Sequence, residues 1–269
     1  MSDVNPSRCL IGHSGYVGST LSRQARFDSA FRRADIGDIR NRAFDLVVCA
    51  GVPAQKWIAN RDPVADRENI ESLIAHLDTV TCGTFVLIST VDVFKSPVGV
   101  DEDTPVDEHG LPAYGLHRRG LEKFVERRFA NRLIVRLPGL VGPGLRKNVV
   151  FDLLNENALD AVDRRAVFQF YPMVNLWYDI RTALKASLKL VHLTAEPVSV
   201  ADVARLGFDR SFERTLASAP ATYDMRTRHA EAFGETGDYQ YRRRASIQAI
   251  RAYAQSEPRV PKPAEGAAR

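Results

Sequence analysis

Four side chains near the middle of the chain have the types and spacing of an acid/base centre. Thr90 and Asp92 lie in Ser89-Thr90-Val91-Asp92-Val93-Phe94, and Tyr114 and Arg118 lie in Tyr114-Gly115-Leu116-His117-Arg118. A phenol has an ordinary pKa of ~10 and exchanges protons near neutrality only where its ionised form is favoured. A cation four residues on lies one helical turn away and favours that form. Upstream, Leu10-Ile11-Gly12-His13-Ser14-Gly15-Tyr16-Val17-Gly18 spaces its glycines Gly-x-x-Gly-x-x-Gly. Such a turn between a strand and a helix lets backbone approach a pyrophosphate, and the helix start adds free N–H groups and a positive dipole end. Its first interval is one residue longer than in the general dinucleotide fingerprint. A tight turn with close helix–sheet packing and no ligand is the competing reading of the glycines alone.

The elements that must hold these groups alternate. Apolar runs at residues 8–11, 44–49, 84–89 and 132–137 read as buried strands, with a weaker one at 27–33. Between them, residues 16–24, 64–80 and the stretch from Tyr114 to Phe129 read as helices, and 51–62 and 95–112 as loops. Strands alternating with helices imply an α/β fold, a doubly wound parallel sheet covered on both faces. Beyond Pro138 the alternation weakens, and helices are expected over 149–159, 180–191, 200–206 and 246–254. The division expected is a nucleotide-binding domain over 1–145, a small, mostly helical lobe over 146–255 interleaved with it, and a frayed tail over 256–269.

At 269 residues, 45% hydrophobic and 26% charged, the chain can bury a full core. A net charge of +4, with Lys and Arg spread along the sequence, weighs against a dedicated nucleic-acid binder. Cys9, Cys49 and Cys82 lie far apart, and no His/Cys/carboxylate cluster has metal spacing, so neither a structural disulfide nor a metal is expected. No signal peptide is seen, and no apolar run approaches the ~18 residues of a membrane span. A cytoplasmic protein without membrane attachment is expected.

The end of the second strand bears on which dinucleotide would fit. A carboxylate there accepts from a ribose 2′-hydroxyl, whereas an arginine pairs with a 2′-phosphate. The run is Phe31-Arg32-Arg33, with Asp35 and Asp38 behind it. NADP through Arg32 or Arg33 is favoured over NAD, and Asp38 is the candidate for the alternative.

Taken together, these residues resemble the short-chain dehydrogenase/reductase superfamily, and within it the extended branch of NAD-dependent epimerases and dehydratases. The resemblance runs from about Cys9 to Gly144. Gly12, Gly15 and Gly18, with Ser14, Tyr16 and Val17 between and beside them, match the glycine motif of an NAD(P)-binding Rossmann fold. Cys49-Ala50-Gly51 matches the Ala-Gly element near the adenine and ribose. Asn69 matches a helix asparagine that holds a structural water or a kink. Thr90 matches the hydroxyl that orients the reacting oxygen, and Tyr114 matches the acid/base tyrosine. Arg136-Leu137-Pro138, followed by Gly142-Pro143-Gly144, resembles the segment over the nicotinamide.

The resemblance implies an NAD(P)-dependent oxidoreductase or epimerase of a sugar, with a nucleotide-linked sugar favoured. Tyr114 would take the hydroxyl proton as hydride leaves the carbon. The family cation at i+4 is a lysine that also binds the nicotinamide ribose; here it is Arg118, a bulkier and differently directed donor. Lys56, in the Gln55-Lys56-Trp57 loop, is a second candidate source of an ammonium. Asp92 stands where sugar-nucleotide dehydratases carry a glutamate, but Val91 replaces the preceding aspartate, which argues against standard dehydration. In the C-terminal part, Arg146, Lys147 and Asn148 suit a diphosphate, while Tyr171 and Trp177, with Lys56 and Trp57, are candidates for holding substrate. Tyr223-Asp224-Met225-Arg226 has no assignment. A homodimer through the helices flanking the tyrosine is common in the family. Two alternatives stand beside this reading: a nucleotide-binding regulatory or scaffold protein without turnover, and an NADP-dependent reductase of a small carbonyl compound.

Overall fold

A parallel six-stranded sheet forms the centre of the computed structural model, which describes residues 7–260. β1 (Arg8–Ile11) enters the glycine turn and α1 (Tyr16–Gln24). β2 (Ser29–Phe31) pairs with one side of β1 and β3 (Ala43–Cys49) with the other. Two helices follow, α2 (Lys56–Arg61) and α3 (Pro63–Leu77), where one was expected over 64–80. Asp62 separates them: its carboxylate accepts from the Ala65 N–H and Pro63 takes the first helical position, so the chain restarts a helix there. β4 (Thr81–Thr90) and β5 (Val98–Val100) lead to α4 (Ala113–Arg128), which carries Tyr114, and then to β6 (Arg132–Leu137).

The remaining elements are β7 (Gly139–Val141), α5 (Val149–Asn155), β8 (Val167–Phe168), β9 (Phe170–Pro172), α6 (Leu176–Lys185) and β10 (Leu190–His192). β11 (Val198–Ser199), α7 (Val200–Asp202), β12 (Asp224–Met225) and α8 (Arg243–Ser256) complete the fold. α7 continues as a π-helical turn over Val203–Gly207. The helix expected over 180–191 is corrected: its last residues form β10, the sixth strand of the central sheet, paired with β6. A three-residue strand a few residues after an amphipathic helix prolongs the helix's apolar pattern and is hidden by it.

Strand order is β2-β1-β3-β4-β6-β10, so the chain changes direction across the sheet between β1 and β3. Alternate residues of each strand feed opposite faces, as a pleated backbone requires. Cys9, Val47, Phe85 and Ile134 pack with Ile70, Leu73, Leu121 and Val125 of α3 and α4. Leu10, Val48, Val86 and Val135 pack with Leu21, Leu176 and Ile180 of α1 and α6. A further core joins α5 and α8 through Val150, Leu153, Ile247 and Ile250. Cys9 and Cys49 are buried within the sheet, and burial pushes their thiols up to about 12 and about 11 respectively. All three cysteines are free.

Of the expected tail, residues 257–260 are held: the Glu257 carboxylate accepts from the Gly144 N–H, and the Val260 N–H donates to Asn155. Residues 261–269 lie outside the described residues. Among the described residues, no helix is long and apolar enough to cross a membrane, and no group of three ligating side chains gathers for a metal.

Candidate functional site

The carboxyl ends of β1, β3, β4 and β6 lie along one edge of the sheet, because all four run parallel. A crevice at the point where strand order reverses is where open α/β sheets hold ligands. Here that point carries a cleft of about 380 Å³, lined by Gly12, Arg32, Arg33, Gly51, Pro53 and Asn69, among others. Glu68, Ser72 and His76 from α3 also line it; of that helix the sequence singled out Asn69 alone, because which neighbouring turns face the cleft depends on how α3 packs.

The three glycines of the turn serve different ends. Gly12 has φ +85, and a Cβ there would lie 2.4 Å from the Ala50 carbonyl oxygen; a Cβ on Gly18 would lie 2.0 Å from the Gly12 oxygen. Both are required by the turn's own packing. A Cβ on Gly15 would meet only the Gly12 oxygen at 3.5 Å, an ordinary contact. Its backbone (φ −77, ψ 168) suits any residue. The protein's own packing does not require glycine there. Ser14 and Gly15 are exposed at the start of α1, while Val17 is half-buried. The Tyr16 side chain is turned away, its hydroxyl donating to the Gly142 carbonyl, so only its backbone faces the turn.

Arg32 and Arg33 are exposed on the cleft wall. Asp35 is folded back onto the backbone N–H of Arg32 and lies 3.6 Å from its guanidinium. Asp38 is exposed in the 3-10 turn Ile36–Ile39, whose Ile36 lines the cleft while Asp38 does not.

Two strands further along the same edge, Thr90 ends β4 and its hydroxyl accepts from the Asp92 N–H. Tyr114 sits in the first turn of α4, 7% exposed. That helix begins at Pro112 with no side-chain cap of its own, and Asn60 of α2 accepts the Tyr114 N–H instead. Deeper in α4, Glu122 accepts from Nε and Nη2 of the Arg136 guanidinium from β6 and from the Ser89 hydroxyl of β4. This fully buried pair ties the helix to both strands, and Arg136 keeps the Glu122 carboxyl below its ordinary range although burial opposes this.

Arg118 does not project into the cleft as an open donor. Nη1 donates to Asp66 Oδ2 at 2.7 Å and to the Tyr114 carbonyl at 3.0 Å; Nη2 donates to Asp66 Oδ1 at 3.0 Å and to the Pro53 carbonyl at 2.6 Å. The guanidinium lies 3.7 Å from the centre of the Tyr114 ring, and its residue is 4% exposed. His117 Nδ1 is 2.7 Å from the same Asp66. Burial raises the Asp66 carboxyl, but bonds from Arg118 and His117 outweigh it and the net shift is downward. Burial raises the Tyr114 hydroxyl, Arg118 and Thr90 lower it, Asp92 raises it, and the net shift is upward.

Lys56 is not on a loop: it opens α2, and its ammonium lies 2.7 Å from Asp92 Oδ1. Tyr223, the residue without an assignment, donates to the same oxygen at 3.2 Å and stands 3.3 Å from Lys56 Nζ. β12 brings Tyr223 there by pairing with β5, which no local pattern reveals. Trp57 is 63% exposed beside Lys56, under the Arg61 guanidinium. Lys147 donates to the Ala54 carbonyl, and burial depresses its ammonium. Arg146 is exposed. Asn148 is spent on structure, capping α5 through Val150 N and donating to the Leu140 carbonyl. Ala50 and Pro138 follow β3 and β6 at the same edge.

The aromatic platform expected from Tyr171 and Trp177 is corrected. Tyr171 is fully buried with its hydroxyl on Asp179, and Trp177 packs edge-on against Phe27 at 5.8 Å. Both belong to the core under α1 and α6, Tyr171 entering it from β9 and Trp177 from α6.

No family model and no curated protein matches the sequence. Solved structures do match the fold. A NAD-dependent NDP-hexosamine 5,6-dehydratase, TunA, of tunicamycin biosynthesis has a TM-score of 0.71 at 18% identity, covering 94% of this chain and 99% of its own. RMD from Pseudomonas aeruginosa, solved with NADPH, has a TM-score of 0.68 at 17% identity, covering 93% and 99%. The dTDP-4-dehydrorhamnose reductase of Bacillus anthracis, solved with NADP, has a TM-score of 0.69 at 15% identity, covering 95% and 100%. At these identities the likeness establishes the architecture: the chain has the doubly wound Rossmann fold of these proteins.

Proposed function

We propose that the chain is an NAD(P)-dependent oxidoreductase or epimerase acting on a nucleotide-linked sugar. The observation that carries this is the open switch point between β1 and β3, with Thr90 and Tyr114 on the same edge of the sheet. A dinucleotide pyrophosphate would lie over Gly15 and the start of α1, with Ala50, Gly51 and Asn69 along the adenosine half and Pro138 by the nicotinamide. Arg32 and Arg33, exposed on the cleft wall, favour NADP, and Asp35 at the same strand end is bonded to the Arg32 backbone. A bound nicotinamide would supply the hydride chemistry, Tyr114 would exchange the hydroxyl proton and Thr90 would orient that oxygen. Residues 146–255 would hold the sugar nucleotide, with Arg146 and Lys147 toward its phosphates and Trp57 at the mouth.

Calorimetric titration with NADPH and NADH tests the reading, after mass spectrometry for nucleotide carried through purification. NADPH is expected to bind at least ~10-fold more tightly than NADH, a preference lost in Arg32→Ala/Arg33→Ala. Binding of neither cofactor would overturn the reading. A second reading, a nucleotide-binding protein without turnover, is favoured by the sequestered Arg118 and the raised Tyr114 hydroxyl. Tyr114→Phe separates the two, because it removes turnover from an enzyme and leaves a scaffold's activity intact.

A further inference from the structure

Arg118 has the cationic position of the expected acid/base set but not its freedom. Four of its N–H bonds go to Asp66, to the Pro53 carbonyl and to the carbonyl of Tyr114 itself, and Asp66 neutralises its charge. An ammonium reaches the site by another route. Lys56, from a different helix, contacts Asp92, whose Oδ2 is 3.5 Å from the Thr90 hydroxyl. The Lys56 side chain is 45% exposed and that of Asp92 20%, so a ligand can reach both. An ammonium has three donors. Asp92 and Tyr223 take two, and no hydrogen bond to a third partner is formed among the described residues.

Resting on the reading above, we propose that Lys56 is the cation of this site that reaches the substrate, while Arg118, clamped by Asp66, acts on Tyr114 alone. Lys56 neutralises the Asp92 carboxylate beside Thr90 and Tyr114 and gives its third N–H to a hydroxyl of the bound sugar. Asp92 can then accept from the sugar while its contact with Lys56 keeps its charge compensated next to the tyrosine. The charged and titratable groups gathered about Tyr114 are Arg118 from its own helix, Asp66 and His117 behind that arginine, Asp92 after β4, Lys56 from α2, Tyr223 from the C-terminal lobe and Lys147 before α5. Burial draws the Lys56 ammonium down, but Asp92 and Tyr223 more than offset this, so it stays charged.

The test follows the Tyr114 ring by NMR with ring-labelled tyrosine, the resonance assigned by its loss in Tyr114→Phe, in full-length protein saturated with NADP+. In Lys56→Met the Tyr114 midpoint is expected to rise by about one pH unit, since Asp92 is left bare. Lys56→Arg is expected to restore it, and Asp92→Asn/Lys56→Met to return it to the midpoint of Asp92→Asn alone. A role confined to packing would move none of these midpoints. Unchanged midpoints with NADP+ bound would overturn the Lys56 assignment alone. Failure of the wild-type protein to bind NADP+ would overturn the cofactor reading, and this proposal with it.

Discussion

Replacing Arg118 by methionine is the sharpest test of how this site is built. The change removes four hydrogen bonds and leaves Asp66, 6% exposed, with His117 as its remaining side-chain partner among the described residues. Breaking a buried ion pair by deleting one partner costs about 3–5 kcal/mol. In a protein of this size each kcal/mol lowers Tm by about 2–4 °C, so Arg118→Met is expected to melt about 6–20 °C lower. Arg118→Lys should fall between the two, because a point charge cannot serve both Asp66 oxygens and the Pro53 carbonyl at once. Asp66→Asn/Arg118→Met should recover part of the loss, since the uncompensated charge goes with its partner. The Asp66 carboxyl is depressed in the folded state, so its contribution is present above about pH 4. That contribution is lost as pH falls through the lowered value, and the Arg118→Met deficit should therefore shrink in acid. Calorimetric melts at neutral and acid pH read all of this. An Arg118→Met protein as stable as wild type, to within about 0.5 kcal/mol, would refute the clamp and return Arg118 to the cleft as a free cation.

Two further outcomes follow from named contacts. Gly15→Ala should leave the melting temperature essentially unchanged and lower NADPH affinity more than ~10-fold by calorimetry, whereas Gly18→Ala should not yield folded protein, because its Cβ would strike the Gly12 oxygen at 2.0 Å. Equal NADPH affinity in Gly15→Ala would remove the turn from the binding site. Asp179 lies buried with the hydroxyls of Tyr171 and Tyr241 on one oxygen, and burial pushes its carboxyl up to about 6. A carboxyl raised on folding favours the protonated native state, so stability should fall by about 3 kcal/mol as pH rises from about 4 to 6. Urea midpoints for Asp179→Asn should lose that slope, and an identical slope in the variant would assign it to other groups.

The sequence by itself determined the alternation that makes a doubly wound sheet. Runs such as Phe44-Asp-Leu-Val-Val-Cys49 are apolar on both strand faces, and only a sheet covered on both sides accommodates them. It also determined the glycine turn and the helix that carries Tyr114, because turn sterics and 3.6-residue periodicity are local properties. It did not reveal β10, a strand three residues long whose identity depends on β6 lying beside it. Tyr171 of β9 and Trp177 of α6 were misread for the same kind of reason: burial depends on which face of an element meets the core, and composition does not record that.

Tertiary structure alone decided the electrostatics of the site. Arg118 and Asp66 are 52 residues apart, Lys56 and Asp92 36, and Tyr223 and Asp92 131. Each pairing arises from helices and loops meeting at one edge of the sheet, not from spacing along the chain. The i+4 rule placed a cation one turn from Tyr114, but which carboxylate would claim it depended on how α3 packs against α4. Charge–charge interactions act through space, so the chain shows which ionisable groups exist, and only the fold decides which of them are already paired.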